Sequence, residues 1–208
     1  IAFEGHADQE TTEGVPHAWV RLGAVGESIA LLRGEGCTEL VMGGAIERPS
    51  FSELMPDWRA AKFFMKSGVK LLGDDGLLKA VRRELEEVEG FRVLGPQDVL
   101  KELLVPEGLL VGEARTAEAF ASDVERGRAV LAALSLVDVG QAVAVQQGLV
   151  LAVEAIEGTA AMIARAGTLK RAGSKPVLVK MTKIGQDDKI DLPTIGPDTI
   201  SQAAEAGF

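Results

Sequence analysis

The chain has few aromatic residues and no tyrosine. Aromatic side chains make up 4% of its 208 residues, so the stacking surfaces that bind single-stranded nucleic acids are not expected. Basic residues are also outnumbered, with 22 Lys and Arg against 31 Asp and Glu, and the formal net charge is −9. Because a phosphate backbone binds through clustered positive charge, the composition argues against nucleic acid as a partner.

Cysteine and long apolar runs are scarce as well. A single cysteine, Cys37, forms no intrachain disulfide, and no Cys/His cluster has zinc spacing, which favours a reducing compartment. No apolar run reaches the length of about 18 residues that a membrane-spanning helix needs. The chain begins with Ile1 and ends just after a predicted helix, a pattern typical of a sequence cut at both ends.

Apolar residues make up 47% of the chain, which is enough for one large core or two modest ones. In the first half, helix and strand patterns alternate: residues 20–36 predict a helix, residues 37–45 a short strand, residues 73–90 a helix and residues 91–95 a strand. This alternation is typical of parallel strands joined by crossover helices. We therefore predict a Rossmann-like parallel sheet domain at residues 1–103, with its first strand missing from the chain.

The alternation lapses at residues 101–116, where Pro106 and Gly108 interrupt the pattern. We place the domain boundary there. Residues 104–208 then predict a long helix, two apolar strands around a Gln-Gln-Gly turn, a short helix after Gly158 and another strand in KPVLVKMTK. Because these strands are joined locally, they favour a mixed α+β domain over a second Rossmann-like half.

Acidic residues lie in otherwise apolar segments of this second half. Glu154 directly follows the apolar run LVLAV, so either it lies on a wet face or its charge is paired. Natural partners, for an ion pair or for a phosphate, are Arg165, Lys180 and Lys183. The other acids of this group are Asp138, Glu157, Asp187, Asp188 and Asp191. Solvated surface explains any one of them equally well.

The segment DKIDLPTIGPDTI, residues 188–200, places Asp191 before a stiff loop and a helix start. Pro193 fixes its own φ, and Gly196 followed by Pro197 predicts a glycine N-cap with proline at the first helical position. Free amides in that first turn, with a cation held by Asp191, would bind an anion. The residues alone thus predict a two-domain α/β protein whose second domain binds a divalent cation and a phosphate.

Four segments together resemble the LpxI family, the UDP-2,3-diacylglucosamine pyrophosphatases of Gram-negative lipid A synthesis. They are GGAIERPSFSELMPD, GDDGLLKAVRRELE, GLVLAVEAIEGTAAMIARAG and LVKMTKIGQDDKIDLPTIGPDTI. They occur in the family's order, and the resemblance covers nearly the whole chain. It implies a Mg²⁺-dependent hydrolase that splits UDP-2,3-diacylglucosamine into UMP and 2,3-diacylglucosamine 1-phosphate, with residues 104–208 as the catalytic domain.

The resemblance also implies site residues. The catalytic carboxylate of the family's DLPTIG motif is Asp191 here, which either ligates Mg²⁺ or orients the water, and Glu157 is the second expected metal ligand. The expected substrate-binding residues are Asp74, Gly158, Thr159, Lys180, Gln186, Thr194 and Gly196. Ala160 stands where the family's EGTDAM has an aspartate. Either this loss weakens Mg²⁺ binding or catalysis, or the position never touches the metal.

The implied substrate carries two acyl chains, so an apolar groove is expected, and residues 20–25 or the LVLAV run would line it unless they are ordinary core. We expect a cytoplasmic protein, with peripheral contact at the inner face of the inner membrane left open. Two alternatives also stay open. One is a non-catalytic protein that binds a uridine nucleotide or a glycolipid, and the other is a scaffold that forms a homodimer through its apolar QAVAV and LVLAV strands.

Overall fold

A computed structural model describes residues 1–44, 54–67, 74–108, 117–185, 189 and 192–208, without the side chains of residues 67, 74, 75 and 117–119. The chain is a mixed α/β protein with small sheets. It divides into two compact units, Ile1–Leu104 and Val105–Phe208. Among the described residues, no helix is both long and apolar enough to cross a membrane.

The first unit is built from short strands and helices. Its elements are β1 (Ala2–Phe3), β2 (Trp19–Val20), α1 (Val25–Gly34), β3 (Glu39–Val41), α2 (Trp58–Ser67), α3 (Asp74–Arg83), β4 (Arg92–Leu94) and α4 (Pro96–Val99). Short 3₁₀ turns lie at Gln9–Thr12 and Lys101–Leu103. Helix α3 continues into a π-helical turn, Glu84–Val88, and the chain then leaves it through Gly90, whose φ of 76° suits a residue without Cβ.

The strands of the first unit pair in parallel. Strand β1 pairs with β2, and β3 pairs with β4 so that Leu40 lies opposite the fully buried Val93. Helices α2 and α3 lie between β3 and β4 in the sequence, so the predicted alternation with parallel pairing is confirmed for this strand pair. The described strands form two separate two-stranded sheets. The larger Rossmann-like sheet is therefore not seen in this part of the chain.

Two carboxylates join the helices of the first unit. The side chain of Glu89, which is 3% exposed, accepts hydrogen bonds from Arg33 at 2.9 Å and from Arg59 at 2.7 Å. Two guanidinium groups compensate for the desolvation of this buried carboxylate. Asp57 accepts a hydrogen bond of 2.6 Å from the backbone amide of Gly26, which ties the start of α1 to the residue before α2.

The second unit is an antiparallel sheet covered by helices. Its elements are α5 (Ala117–Ser135), β5 (Ala142–Gln146), β6 (Leu149–Val153), α6 (Gly158–Thr168), β7 (Val177–Lys180) and α7 (Pro197–Ala206). The strand order is β6-β5-β7, with both neighbours antiparallel to β5. This confirms the predicted hairpin around Gln147 and Gly148 and the local strand pairing predicted for this half.

The core of the second unit lies on both faces of β5. Alternate residues of a strand point to opposite faces, and here Val143 and Val145 pack with Leu131 of α5. The other face of the sheet carries small residues and packs against α6 and α7. The buried residues of this layer, from the sheet and from α6, are Ala142, Ala144, Ala152, Met162, Ile163 and Ala166. An aliphatic core of this kind agrees with the low aromatic content.

Burial settles where two apolar segments lie. All five residues of β5 are buried in the middle of the sheet, which removes the QAVAV strand as a surface for self-association. In residues 20–25, Val20 and Ala24 are buried core residues, so ordinary packing accounts for them. The edge strand β6 keeps Leu149 and Val150 exposed.

Met162→Ala is expected to lower the free energy of unfolding by about 2–5 kcal/mol, because Met162 is fully buried and its truncation leaves a cavity. Urea denaturation followed by circular dichroism measures the change. The matched control is Met65→Ala, at a position on α2 that is 70% exposed, which is expected to change stability by less than about 0.5 kcal/mol. Equal effects of the two substitutions would contradict the packing described for α6.

Candidate functional site

Several segments of the second unit meet at one end of its sheet. Strand β5 begins there, and β6 and β7 end there because both run antiparallel to β5. The register places Ala142 opposite Lys180, and Val143 opposite Val153. Helix α5 ends just before β5, and α6 begins shortly after β6. Polar residues that are far apart in the sequence are therefore brought together at this end.

Four residues form a hydrogen-bonded group at this end, which we call the Lys180 cluster: Glu154, Thr159, Lys180 and Thr194. The hydroxyl of Thr159 donates to Oε1 of Glu154 at 2.5 Å. The ammonium of Lys180 donates to Oγ1 of Thr159 at 2.9 Å and to the backbone carbonyl of Thr194 at 2.9 Å. The cluster thus connects the ends of β6 and β7 with the start of α6 and the loop before α7.

Hydrogen-bond chemistry fixes the direction of each bond in the cluster. A threonine hydroxyl has one hydrogen, and here it points to Glu154, so its oxygen accepts from Lys180. An ammonium has three N–H bonds, of which the bonds to Thr159 and Thr194 use two. No acceptor for the third N–H is seen among the described residues, which leaves that bond for an anion. Lys180 is half-buried, a setting in which a charge-assisted hydrogen bond is stronger than in water.

The two other cations that the sequence offers as partners of Glu154 pair with different acids. Lys183 donates to Asp138 at 2.5 Å. Arg165 donates to the carboxylate of Glu157 and to the carbonyl of Val153, the latter at 2.8 Å. Glu154 instead accepts hydrogen bonds from the hydroxyl of Thr159 and the backbone amide of Gln141. None of the three cations expected from the sequence bonds to it directly.

Glu157 has a lowered pKa. The backbone amide of Glu157 itself is the largest cause, followed by the hydrogen bond from Arg165, and both favour the charged carboxylate. The amide of Ala155 adds a further hydrogen bond of 3.1 Å. The carboxylate of Glu157 is thus already engaged by donors from its own loop and from α6.

The two glycines of the predicted site, and Ala160 in place of the family's aspartate, lie at helix starts. Gly158 is the first residue of α6 and has a φ of 79°, and Ala160 is exposed in the first turn. Gly196 is the N-cap residue of α7 and is followed by Pro197 in the first turn, as predicted. The amide of Gly196 also donates to Oγ1 of Thr199 at 3.4 Å.

The remaining predicted site residues are less fully placed. Asp74 is the first residue of α3 in the first unit, and its side chain lies outside the described residues. Asp191 and Gln186 also lie outside the described residues. The structure thus brings together Thr159, Lys180 and Thr194 of the predicted set.

Glu154 is the member of the cluster that the resemblance did not assign. Its only signal in the sequence was a charge directly after an apolar strand. The hydroxyl partner could not be inferred from that signal, because Thr159 reaches Glu154 only after the chain turns from β6 into α6.

The described residues do not form a metal site on their own. Among them, no three His, Cys, Asp or Glu side chains lie close enough together to hold a metal ion. Glu157 faces Arg165, and the two carboxylate oxygens of Glu154 accept from Thr159 and from the amide of Gln141. The predicted ligand Asp191 is outside the described part of the chain.

A mixed α/β protein with a lysine-centred polar cluster at one end of an antiparallel sheet is the class that the fold and site define. Comparison with known families makes it specific. The LpxI N-terminal domain matches residues 1–103, and the LpxI C-terminal domain matches residues 106–208. The chain is 40% identical over 200 residues to the UDP-2,3-diacylglucosamine pyrophosphatase LpxI of Caulobacter vibrioides, an alignment that covers 93% of this chain and 71% of that protein.

The chain belongs to the LpxI family. The resemblance read from the four sequence segments is confirmed by these matches.

Glu157 is expected to titrate below the usual range of a glutamate, and Arg165→Met is expected to raise its pKa without restoring it fully, because the backbone amide donors remain. A folded-state pKa below the unfolded value stabilises the protein above the unfolded pKa, and this contribution is lost as the pH falls through the folded pKa. Carbon-13 NMR titration of the glutamate carboxylates measures the pKa of Glu157 in the unaltered protein and in Arg165→Met. Arg126→Met, on the exposed side of α5, is the control. An equal rise of the Glu157 pKa in Arg126→Met would contradict the pairing of Glu157 with Arg165.

Proposed function

We propose that this protein hydrolyses the diphosphate of UDP-2,3-diacylglucosamine to UMP and 2,3-diacylglucosamine 1-phosphate in lipid A biosynthesis. Family membership over both halves of the chain and the name of the Caulobacter vibrioides relative support this function. The structural observation that carries it is the Lys180 cluster. Three residues that the resemblance assigns to the substrate, Thr159, Lys180 and Thr194, lie in hydrogen-bond contact there.

Lys180 supplies a positive charge for the diphosphate. Its third N–H, which has no acceptor among the described residues, would donate to a phosphoryl oxygen. Negative charge grows on the oxygens around the breaking anhydride bond during hydrolysis. Because Thr159 and Thr194 already hold the ammonium in place, little reorganisation is needed when the substrate arrives. A fixed charge of this kind stabilises the transition state more than a mobile side chain would.

The first turn of α6 supports an anion beside Lys180. Thr159 belongs to that turn, and the first amides of a helix lack partners within the helix and carry partial positive charge. Ala160 brings no carboxylate into this turn, so it adds no negative charge beside the proposed diphosphate. Thr159 thereby joins the helix start to the ammonium of Lys180.

We propose Asp191 as the catalytic carboxylate and Mg²⁺ as the cofactor on the strength of the resemblance alone. The role of Asp191 is either to ligate the metal or to orient water. Glu157 is the second proposed ligand, and it would have to give up its bond with Arg165 to bind the ion. Gly158, Gly196, Gln186 and Asp74 complete the proposed substrate-binding residues.

An apolar surface lies at the same end of the sheet as the Lys180 cluster. It consists of Leu136, Val137 and Ile184, each at least 66% exposed, and we call it the apolar rim. The amide of Ile184 donates to Oγ of Ser135 at 2.6 Å, which places Ile184 beside the residue that precedes Leu136. Exposed aliphatic groups gathered in one place mark binding surfaces. The rim therefore suits the acyl chains of a substrate whose diphosphate lies at Lys180.

The alternative function is that of a non-catalytic protein that binds a uridine nucleotide or a glycolipid. The observation that favours it is Ala160, which replaces the aspartate expected in the family's EGTDAM motif. Such a protein would bind the lipid nucleotide through the Lys180 cluster without releasing UMP, so turnover separates the two functions.

Several finer features belong to the proposal as well. The first unit would be part of a Rossmann-like parallel sheet domain, and residues 104–208 would be the catalytic domain. The protein would act in the cytoplasm, in peripheral contact with the inner face of the inner membrane where its lipid substrate lies. A homodimer remains compatible with the exposed edge strand β6.

The decisive experiment measures UMP release from UDP-2,3-diacylglucosamine with and without Mg²⁺. Turnover is expected for the unaltered protein with Mg²⁺ and is expected to vanish on chelation of the metal or in Asp191→Ala. Lys180→Met is expected to lower kcat/KM about 100-fold to 1,000-fold, since it removes one charged donor. Lys175→Met is the matched control, because Lys175 donates to the carbonyl of Phe208 instead. Tight binding without UMP release would favour the binding-protein alternative.

The apolar rim has its own test. Replacing both Leu136 and Ile184 with serine is expected to lower kcat/KM for the diacylated substrate at least tenfold, because covering two aliphatic side chains with the acyl chains is worth a few kcal/mol. Inhibition by UMP, which has no acyl chain, is expected to stay unchanged. Leu149→Ser serves as the control at the opposite end of the sheet. An equal loss for UMP would show that the substitutions damage the site as a whole.

A further inference from the structure

Glu154 is a carboxylate whose two oxygens are each held by a different donor. Oε1 accepts the hydroxyl of Thr159 at 2.5 Å, and Oε2 accepts the backbone amide of Gln141 at 2.8 Å. Two donors on opposite oxygens fix both the position and the plane of the carboxylate. No cation among the described residues forms an ion pair with it within 4.0 Å.

The backbone around Glu154 is held as firmly as its side chain. Its amide donates to the carbonyl of Ala142 at 2.9 Å, which extends the β5–β6 ladder by one bond. Gly140 packs directly against it, since a Cβ at Gly140 would lie 2.0 Å from the carbonyl oxygen of Glu154. Gly140 also has a φ of 57°, so glycine is required there on both grounds. The carboxylate is thus mounted on the rigid end of the sheet.

The consequence for Lys180 follows from the single hydrogen of Thr159. As long as Glu154 accepts that hydrogen, the lone pairs of Oγ1 face the ammonium of Lys180 at 2.9 Å. Without Glu154, the hydroxyl is free to rotate and to turn its hydrogen towards the ammonium, where it would repel it. The carboxylate therefore decides whether Thr159 holds Lys180 or competes with it.

We propose that Glu154 is a positioning residue that aims the ammonium of Lys180 through the hydroxyl of Thr159. In the reaction, its role depends on the proposed function, in which Lys180 contacts the diphosphate. Glu154 itself does not touch the substrate. Its effect on the geometry of Lys180 exists whether or not the protein is catalytic.

A purely structural role for Glu154 is the competing explanation, and Asp123 provides the comparison. The carboxylate of Asp123 accepts the amides of Gln147 at 2.9 Å and Gly148 at 2.6 Å, in the turn at the opposite end of the same sheet. Both acids therefore satisfy backbone amides of the sheet. Only Glu154 also bonds to a side chain of the Lys180 cluster.

The first experiment observes Lys180 directly by nitrogen-15 NMR of the lysine side chains, with the Lys180 signal assigned by its loss in Lys180→Arg. Glu154→Ala and Thr159→Val are both expected to increase the mobility of the Lys180 ammonium, and Asp123→Asn is expected to leave it unchanged. If Glu154→Ala fails to fold, Glu154→Gln replaces it: glutamine has the same shape, its oxygen accepts the amide of Gln141, and its NH2 group then faces Thr159, whose hydroxyl can no longer donate to residue 154. An unchanged Lys180 signal in a folded Glu154 variant would overturn the proposal.

The second experiment is a double-mutant cycle on UMP release. Glu154→Ala is expected to lower kcat about 100-fold with little change in KM, as a misplaced catalytic group does. In a Thr159→Val background, the same substitution is expected to lower kcat by less than about threefold, because the two residues act along one path. Asp123→Asn is expected to reduce stability without this loss of kcat. Additive effects of Glu154→Ala and Thr159→Val would count against the proposal.

The two experiments separate this proposal from the proposed function. If the unaltered protein releases no UMP, the hydrolase function fails, and the NMR comparison alone decides the role of Glu154. If UMP is released but Lys180 responds equally in the Glu154 and Asp123 variants, the function stands and the positioning role is wrong.

Discussion

Burial of β5 is the constraint on which the second unit depends. A strand with every residue buried cannot leave its backbone amides and carbonyls to water, so it needs a hydrogen-bonded neighbour on each side. Strands β6 and β7 provide them, and their antiparallel direction brings the end of each to the start of β5. The position of Glu154 and Lys180 at one end of the sheet is a direct result of this requirement.

Lysine and arginine side chains at this end of the sheet differ in the kind of group they bond to. Lys183 and Arg165 are taken up by Asp138 and Glu157, whereas Lys180 is held by neutral oxygens. A cation that is bound to neutral acceptors attracts an incoming anion more strongly than one that is bonded directly to a carboxylate, and none of the described carboxylates bonds directly to Lys180. This difference, more than the number of basic residues, explains how a chain with a net charge of −9 would bind the diphosphate of the proposed substrate.

Much of the local structure could be predicted from the sequence, because it depends on periodicity and on glycine and proline. The hairpin between β5 and β6, the helix that begins at Gly158 and the Gly196-Pro197 start of α7 are examples. The partners of individual charges could not be predicted in the same way. The sequence offers three cations as partners of Glu154, but the turn into α6 places the hydroxyl of Thr159 in contact with it instead. Contacts of this kind depend on side-chain direction at a turn, which a one-dimensional pattern does not contain.

Asp191 and Gln186 are assigned through family resemblance, and the described residues add nothing to that assignment.

The face of small residues beneath α6 has an effect beyond filling space. Ala142, Ala144 and Ala152 let the helix lie close to the sheet, because the thickness of a layer between a helix and a sheet is set by the side chains in it. Thr159 moves with α6, whereas Lys180 is anchored to the sheet. The alanines therefore act as a spacer that sets the distance between the hydroxyl of Thr159 and the ammonium of Lys180. Larger residues at these positions would lift α6 from the sheet and lengthen the hydrogen bond between them.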